Sequence, residues 1–492
     1  MERYALFIDG DSREPSGGEW FTTENPYTGE PWAEIARGNA ADVEQAVQAA
    51  QRAFTQGPWP ELSASARGLL LHRLGDLIAE HAEELARIEV RDNGKLFSEM
   101  RAQLNYVPQW FRYYGGLADK LQGSVIPIDK KGYFNFTRDE PLGVVGIITP
   151  WNSPLMLLAW KLAPALAAGC TVVIKPSEFT SASTVAFAQL VAKAGFPAGV
   201  VNVVTGFGNE VGSELVAHPL VRKVTFTGAD STGRRISEQA ARDFKHVSLE
   251  LGGKSPNIIF ADAKLDDAVN GAISGIFAAT GQTCIAGSRL LVQDEIHDEV
   301  VERLLALAKT ARMGDPMDPA TQVGPITTPP QFEKVLSYID IARQEGATLV
   351  LGGSAAQRPE CSNGWFVEPT VFTNVRNDMR IAQEEVFGPV LSIIRFKDEQ
   401  EAVAIANDVR FGLGAGVWTQ DMGRAFRMAE RIQAGTVWIN TYRAVSYMSP
   451  FGGYKDSGIG RENGIDAVYE YLQRKSVWIN TGAETGNPFV LR

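Results

Sequence analysis

Cys284 lies between small residues in Gly281-Gln-Thr-Cys-Ile-Ala-Gly287, a setting that lets a substrate carbonyl reach the sulfur. A free cysteine there is either a nucleophile or a buried structural thiol. Glu250 closes the apolar run Val247-Ser-Leu-Glu-Leu ahead of Gly252-Gly253. A carboxylate in that position is costly unless it has a partner or a task such as taking a proton. Asn152 follows a second apolar run, in Thr149-Pro-Trp-Asn-Ser-Pro154. Its amide suits either an oxyanion or the cap of the next helix. The other two of the three cysteines are less suited to chemistry: Cys170 enters a strand-like run, and Cys361 sits in a polar stretch with no evident partner.

These residues need a scaffold, and the chain supplies one. From Val144 short β-branched runs alternate with helical patterns. Strands are expected over Val144–Thr149, Thr171–Lys175, Val200–Val204, Lys223–Thr227 and Val247–Leu251. Helices are expected over Ser153–Ala168, Ser181–Ala194, Asn209–Ala217 and Thr232–Arg242. Such alternation builds right-handed βαβ units on a parallel sheet, as in a doubly wound nucleotide-binding domain. Glu250 and Asn152 would then follow or end strands at the edge where such sheets bind ligands. A second α/β block follows Gly253, with a strand over Asn257–Phe260 and helices over Leu265–Thr280, His297–Ala311 and Gln331–Gln344. Beyond these come a strand over Ala347–Leu351 and helices over Glu401–Asn407 and Met422–Ile432. Ser124–Arg138 alternates apolar and polar residues and reads as a projecting hairpin.

Composition narrows the function. Lys and Arg number 47 and Asp and Glu 58, a net charge of −11 with no basic run, so nucleic acid and anionic membranes are not expected partners. No apolar run is long enough to span a bilayer, and Met1–Gly10 lacks the pattern of a secretory signal. Three cysteines make no disulfide framework, which fits a cytoplasmic, thiol-keeping compartment. The five histidines are scattered without H-E-x-x-H or C-x-x-C spacing, so no metal site is expected. Gly206–Gly212 and Gly458–Gly464 are each one residue too long for G-x-G-x-x-G, and neither a G-x-x-x-x-G-K phosphate loop nor a G-x-S-x-G elbow is present.

Taken together, the segments Ile148-Thr-Pro-Trp-Asn152, Val173-Ile-Lys-Pro-Ser-Glu178, Phe226-Thr-Gly228, Leu249-Glu-Leu-Gly-Gly-Lys-Ser-Pro256 and Gly281-Gln-Thr-Cys284 resemble the aldehyde dehydrogenase superfamily. So do Glu384-Glu-Val-Phe-Gly-Pro389 and Pro450-Phe-Gly-Gly-Tyr-Lys455. Their order matches, and 284 minus 250 gives the family's separation of 34. The resemblance covers nearly the whole chain.

It implies an NAD(P)-dependent oxidation of an aldehyde to a carboxylic acid. Cys284 would be the nucleophile, passing through a thiohemiacetal and a thioester. Asn152 would hold the oxyanion, and Glu250 would activate the hydrolytic water. Lys161 and Glu462 match a pair proposed to relay protons behind that base. The cofactor would be NAD, with NADP as the alternative, contacted by Thr149, Trp151, Lys175, Ser177, Glu178, Gly208, Gly228, Ser231, Gly233, Leu251, Glu385 and Phe387. A carboxylate at Glu178 welcomes a ribose 2′-hydroxyl and repels a 2′-phosphate. Ala229 stands where a phosphate-contacting serine is common, and Ser231 is the available substitute.

Trp160 and Phe451 match walls of the substrate tunnel. Ser153 replaces a common Phe beside Asn152, and Tyr442, Arg443 and Tyr447 could line the mouth, where Arg443 could pair with an acidic group. The implied fold is α/β: a Rossmann-type cofactor domain (1–120 and 142–252), an α/β catalytic domain (253–460) and a small β oligomerisation arm (121–141 and 461–492). A homodimer or homotetramer is implied. Two other readings were weighed: a semialdehyde dehydrogenase passing its acyl group to coenzyme A, disfavoured by Glu250, and a catalytically silent binding protein on the same fold, disfavoured by Cys284, Glu250 and Asn152 together.

Overall fold

Val144–Ile148 carries only apolar residues and a glycine, and every one of them is buried, so the strand must lie inside a sheet covered on both faces. A computed structural model of the chain describes residues 1–489 and sets this strand within an eight-stranded sheet. The central order is His246–Glu250, Val221–Thr227, Val144–Ile148, Thr171–Lys175, Val201–Val203, with all neighbours parallel. Winding runs one way from Val144–Ile148 and then reverses to its other side at Val221–Thr227. A crevice forms at such a reversal, beyond the C-terminal strand ends.

The helix that follows, Pro154–Ala168, opens on a proline that needs no N–H partner and stops at Gly169, whose φ of 97° a side chain would resist. It is buried at all but one position, as its apolar composition demands. Antiparallel strands close the sheet: Leu6–Ile8 and Asp11–Arg13 on one side, Gly458–Ile459 on the other. Gly458–Ile459 falls in the 253–460 stretch assigned to the second domain, yet it pairs with His246–Glu250 of the first sheet.

The second sheet has seven strands in the order Thr348–Leu351, Thr370–Thr373, Val390–Phe396, Arg289–Gln293, Pro256–Ile259, Gly414–Trp418, Thr436–Ile439. Only its first pair is antiparallel. A separate three-stranded sheet pairs Leu472–Asn480 with Tyr133–Pro141, and the latter with Val125–Ile126. The expected hairpin is thus present, its second strand running on to Pro141 and pairing with Leu472–Asn480; residues 490–492 of the proposed arm lie outside the described residues. No helix of the described residues is long and apolar enough to cross a membrane.

Three helix readings need correction. The helix expected to reach Thr280 ends at Phe277. Ala279 and Thr280 each have φ of 53° and Gly281 has 70°, a left-handed stretch that no α-helix continues. The helix expected to reach Ala311 ends at Ala308. Asn209–Ala217 is a π-type turn over Gly208–Gly212 followed by one short helix, Ser213–Ala217.

Candidate active site

The crevice predicted by the strand order is present. It encloses about 570 Å³ of open space and is walled by the segments that follow two strands on either side of the winding reversal: Pro150, Trp151 and Asn152 after the first, Gly228 and Ala229 after the fourth. Leu251, Cys284, Glu385 and Phe387 also line it. Residues from five separate stretches of sequence therefore meet at one place.

The loop carrying Cys284 is held by its neighbours. The Ala279 N–H donates to Glu99 Oε1 at 2.8 Å, and Thr280 Oγ1 donates to the Gly324 carbonyl at 3.1 Å. The Gln282 amide is fully buried, donating to the Pro325 carbonyl at 3.2 Å and accepting from the Thr327 N–H at 2.9 Å. These bonds support the left-handed turn in non-glycine residues, a conformation that costs about 1–2 kcal/mol per residue. Asn152 Nδ2 donates to the Gln282 carbonyl at 3.0 Å, linking the first strand's exit to the loop that carries Cys284. An amide nitrogen has two N–H groups, so the second stays available.

Backbone closeness is extreme here. A methyl group on Gly253 would lie 2.5 Å from the Cys284 carbonyl, and one on Gly252 2.5 Å from the Glu385 carboxylate. The Glu385 carboxylate accepts from the Gly253 N–H at 3.0 Å. Phe387, with φ of 59°, meets Trp151 edge-on with ring centres 5.2 Å apart. Burial pushes the Cys284 thiol up to about 12, with the Glu385 and Glu250 charges adding to the effect.

Glu250 ends its strand at 5% exposure, and its Oε2 has no hydrogen-bond partner among the described residues. Burial first, and the charge of Glu462 second, hold its carboxyl well above the usual carboxylate range. Such a group is poised to accept a proton once water reaches it. Glu462 itself forms a buried ion pair with Lys161. Phe451 and Glu462 exchange backbone hydrogen bonds at 2.6 and 2.7 Å, which brings the pair beside Phe451. Trp160 packs edge-on against Phe451, centroids 5.0 Å apart, and stacks on Trp110 at 5.9 Å.

The outer cofactor residues divide. Thr149 hydrogen-bonds the Lys175 carbonyl through its N–H at 3.2 Å, while its hydroxyl is buried without a partner among the described residues. Lys175 Nζ pairs with Glu178 at 2.9 Å, and burial lowers its pKa. Ser177 is buried between them. Helix Asp230–Ala241 has no side-chain cap at Ala229, so its first N–H groups are open to an anion. Gly228 and Gly233 answer to packing: a methyl group would lie 2.4 Å from the Phe226 ring or 2.6 Å from Leu251. Ser231 and Gly208 are exposed and do not line the crevice. Gln331 and Lys334 do line it, and neither was anticipated. Gln331 Nε2 donates to the Val386 and Phe387 carbonyls at 2.8 and 3.0 Å and so fixes the loop bearing Glu385.

Comparison with known proteins agrees with this arrangement. The model of the aldehyde dehydrogenase family matches residues 13–477. The (Z)-2-((N-methylformamido)methylene)-5-hydroxybutyrolactone dehydrogenase of Acinetobacter baylyi is 45% identical over 100% of both chains. Retinaldehyde dehydrogenase 3 of Rattus norvegicus is 46% identical over 96% of this chain and 92% of its own. Among solved structures, the NAD+ complex of an aldehyde dehydrogenase from Bacillus cereus aligns at a TM-score of 0.96 and 46% identity, covering 98% of this chain and 97% of that one. A betaine aldehyde dehydrogenase from Staphylococcus aureus in complex with NAD+ aligns at 0.98 and 42% identity, covering 99% and 97%. The chain belongs to the aldehyde dehydrogenase family, oxidoreductases that act on the aldehyde group.

Proposed function

We propose that Cys284 is the nucleophile of an NAD-dependent oxidation of an aldehyde to a free carboxylic acid. One observation carries the reading: the thiol, the Asn152 amide and the Glu385–Phe387 loop share one crevice at the winding reversal of a parallel sheet. The Cys284 thiolate adds to the aldehyde carbon and forms a C–S bond. The resulting oxyanion accepts from the free Asn152 N–H and the Cys284 backbone N–H. When bound, NAD supplies the acceptor for the hydride that leaves that carbon. Loss of the hydride leaves a thioester on Cys284. Glu250 takes a proton from water, the water oxygen attacks the thioester carbon, and the C–S bond breaks to return the thiolate, the proton staying on Glu250. A base at this position favours hydrolysis over acyl transfer to coenzyme A.

The fit to NAD rests on the uncapped helix at Ala229, the unpartnered Thr149 hydroxyl and the Lys175–Glu178 pair. Lys175 and Glu178 would hold the adenosine ribose hydroxyls, and the Glu178 charge disfavours a 2′-phosphate, hence NAD over NADP. Lys161 and Glu462 would carry protons away from Glu250. The sheet Val125–Ile126, Tyr133–Pro141, Leu472–Asn480 has Val125, Phe134, Trp478 and Ile479 exposed, and would pair subunits into a homodimer or homotetramer. Three free thiols suit the cytoplasm.

The test is NAD reduction by an aldehyde panel, with Cys284→Ser alongside. Turnover should vanish in the variant while NAD binding, followed by protein fluorescence, persists. Full activity of Cys284→Ser would overturn the assignment.

A further inference from the structure

A group of polar side chains lies close to the thiol yet lines no part of the crevice. Lys95 is 2% exposed, and its Nζ donates to Ser153 Oγ at 3.1 Å, next to Asn152. Arg443, at φ of 67°, donates through Nη1 to the Ser274 carbonyl at 3.0 Å. An ammonium offers three N–H donors and a guanidinium five, so most of this donor capacity is unspent. Glu99 binds the turn that leads to Cys284 through one oxygen, and its other oxygen is buried with no partner among the described residues. The Gln103 carbonyl oxygen and the Trp160 indole N–H are in the same condition.

Electrostatics ties the group together. Lys95 responds to the charges of Glu99, Arg443, Glu89 and Cys284, and Arg443 to those of Glu99 and Cys284. Lys95 and Arg443 therefore stand beside Glu99 around the loop that carries Cys284. Glu89 adds only part of a charge, because burial pushes its carboxyl up to about 7, and its Oε1 already accepts from the Leu155 N–H at 2.9 Å. Lys95, pushed down to about 8 by burial, is still mostly charged at neutral pH. A hydrocarbon chain placed against these groups would leave buried donors unpaired, at a cost in binding.

We propose that Arg443 and Lys95 select aldehydes bearing a carboxylate, short ω-oxo acids, with the Arg443 guanidinium holding the distal carboxylate and Lys95 fixing the chain behind Asn152. This rests on Cys284 being the nucleophile and adds the substrate class. Arginine suits the task, since its planar fork donates two parallel hydrogen bonds to a carboxylate.

The test compares kcat/KM, with NAD saturating, for short ω-oxo carboxylates, alkanals of equal length and a trimethylammonium aldehyde. The oxo acid should exceed the alkanal by about tenfold or more, which is about 1.4 kcal/mol. In Arg443→Gln this ratio should fall about tenfold, mainly through KM, and Arg443→Lys should restore part of it. Short dicarboxylates should inhibit the wild type in competition with aldehyde, a readout that stands even where Arg443→Gln does not fold. Preference for the alkanal or the cationic aldehyde, an unchanged ratio in Arg443→Gln, or no inhibition by dicarboxylates would overturn the proposal. Failure of every aldehyde to be oxidised by folded, NAD-binding protein would instead overturn the proposed function.

Discussion

The Asn152 side chain donates to the Gln282 carbonyl at 3.0 Å, so the Asn152 amide and the loop carrying Cys284 are set by one another. Asn152→Ala removes a donor and a strut together. We expect kcat to fall about 10²–10³-fold, about 3–4 kcal/mol of transition-state stabilisation. Asn152→Asp, similar in shape but without the N–H, should fall as far; steady-state assays of both variants decide this.

Glu462 raises the Glu250 carboxyl through its charge, while Lys161 lowers it. Glu462→Gln deletes the negative charge and leaves the positive one. Both changes favour ionised Glu250. The acid limb of the pH profile for thioester hydrolysis should therefore move to lower pH in Glu462→Gln. A limb that stays in place or moves up would separate Glu462 from the base. Lys161→Met leaves Glu462 buried without its partner and should cost about 3–5 kcal/mol in denaturant unfolding.

The thiol has a pH signature of its own. Burial and nearby carboxylates raise Cys284 to about 12, so the thiolate fraction grows as pH rises from the usual thiol range near 8.5. Alkylation of Cys284 in cofactor-free protein should keep accelerating through that interval. Glu385→Gln removes the larger of the two charge contributions and should shift the curve to lower pH. Cys170, buried and raised to about 11, should stay unmodified because reagent cannot reach it.

Gly281 has φ of 70°, and a methyl group there would sit 2.1 Å from the Gly388 carbonyl oxygen. Gly281→Ala should destabilise the protein by about 3 kcal/mol or more, from strain and overlap together. It should also depress kcat, because the displaced Gly388 follows Phe387 in the loop that lines the crevice. Thermal unfolding and steady-state rates measure the two effects separately.

Much of this site was legible from residue order because its chemistry follows strands. Asn152 stands just past a run of apolar residues and a glycine, Glu250 ends a largely apolar strand of the same parallel sheet, and the crevice lies beyond such strand ends. Gln331 and Lys334 were not legible: they sit in the first turns of an ordinary-looking helix, and only tertiary packing brings them to the crevice. The early end of the Leu265–Phe277 helix was hidden for the same reason. Ala279 and Thr280 have no intrinsic preference for positive φ, and the turn depends on Glu99 and Gly324, far away in sequence. The pairing of Gly458–Ile459 with His246–Glu250 spans too few residues to leave any periodicity.

Gly252 and Gly253 leave no space for a single methyl group between Glu385 and the Cys284 backbone. The reacting side of the thiol is thus built from main chain that tolerates no variation. Ser153, Lys95 and Arg443 stand near the same loop through side chains instead, with Lys95 Nζ donating to Ser153 Oγ at 3.1 Å and Arg443 Nη1 to the Ser274 carbonyl at 3.0 Å. Descendants of this fold can therefore exchange one substrate for another through side-chain drift alone, and laboratory evolution aimed at new aldehydes should concentrate its diversity there and hold the glycine pair constant.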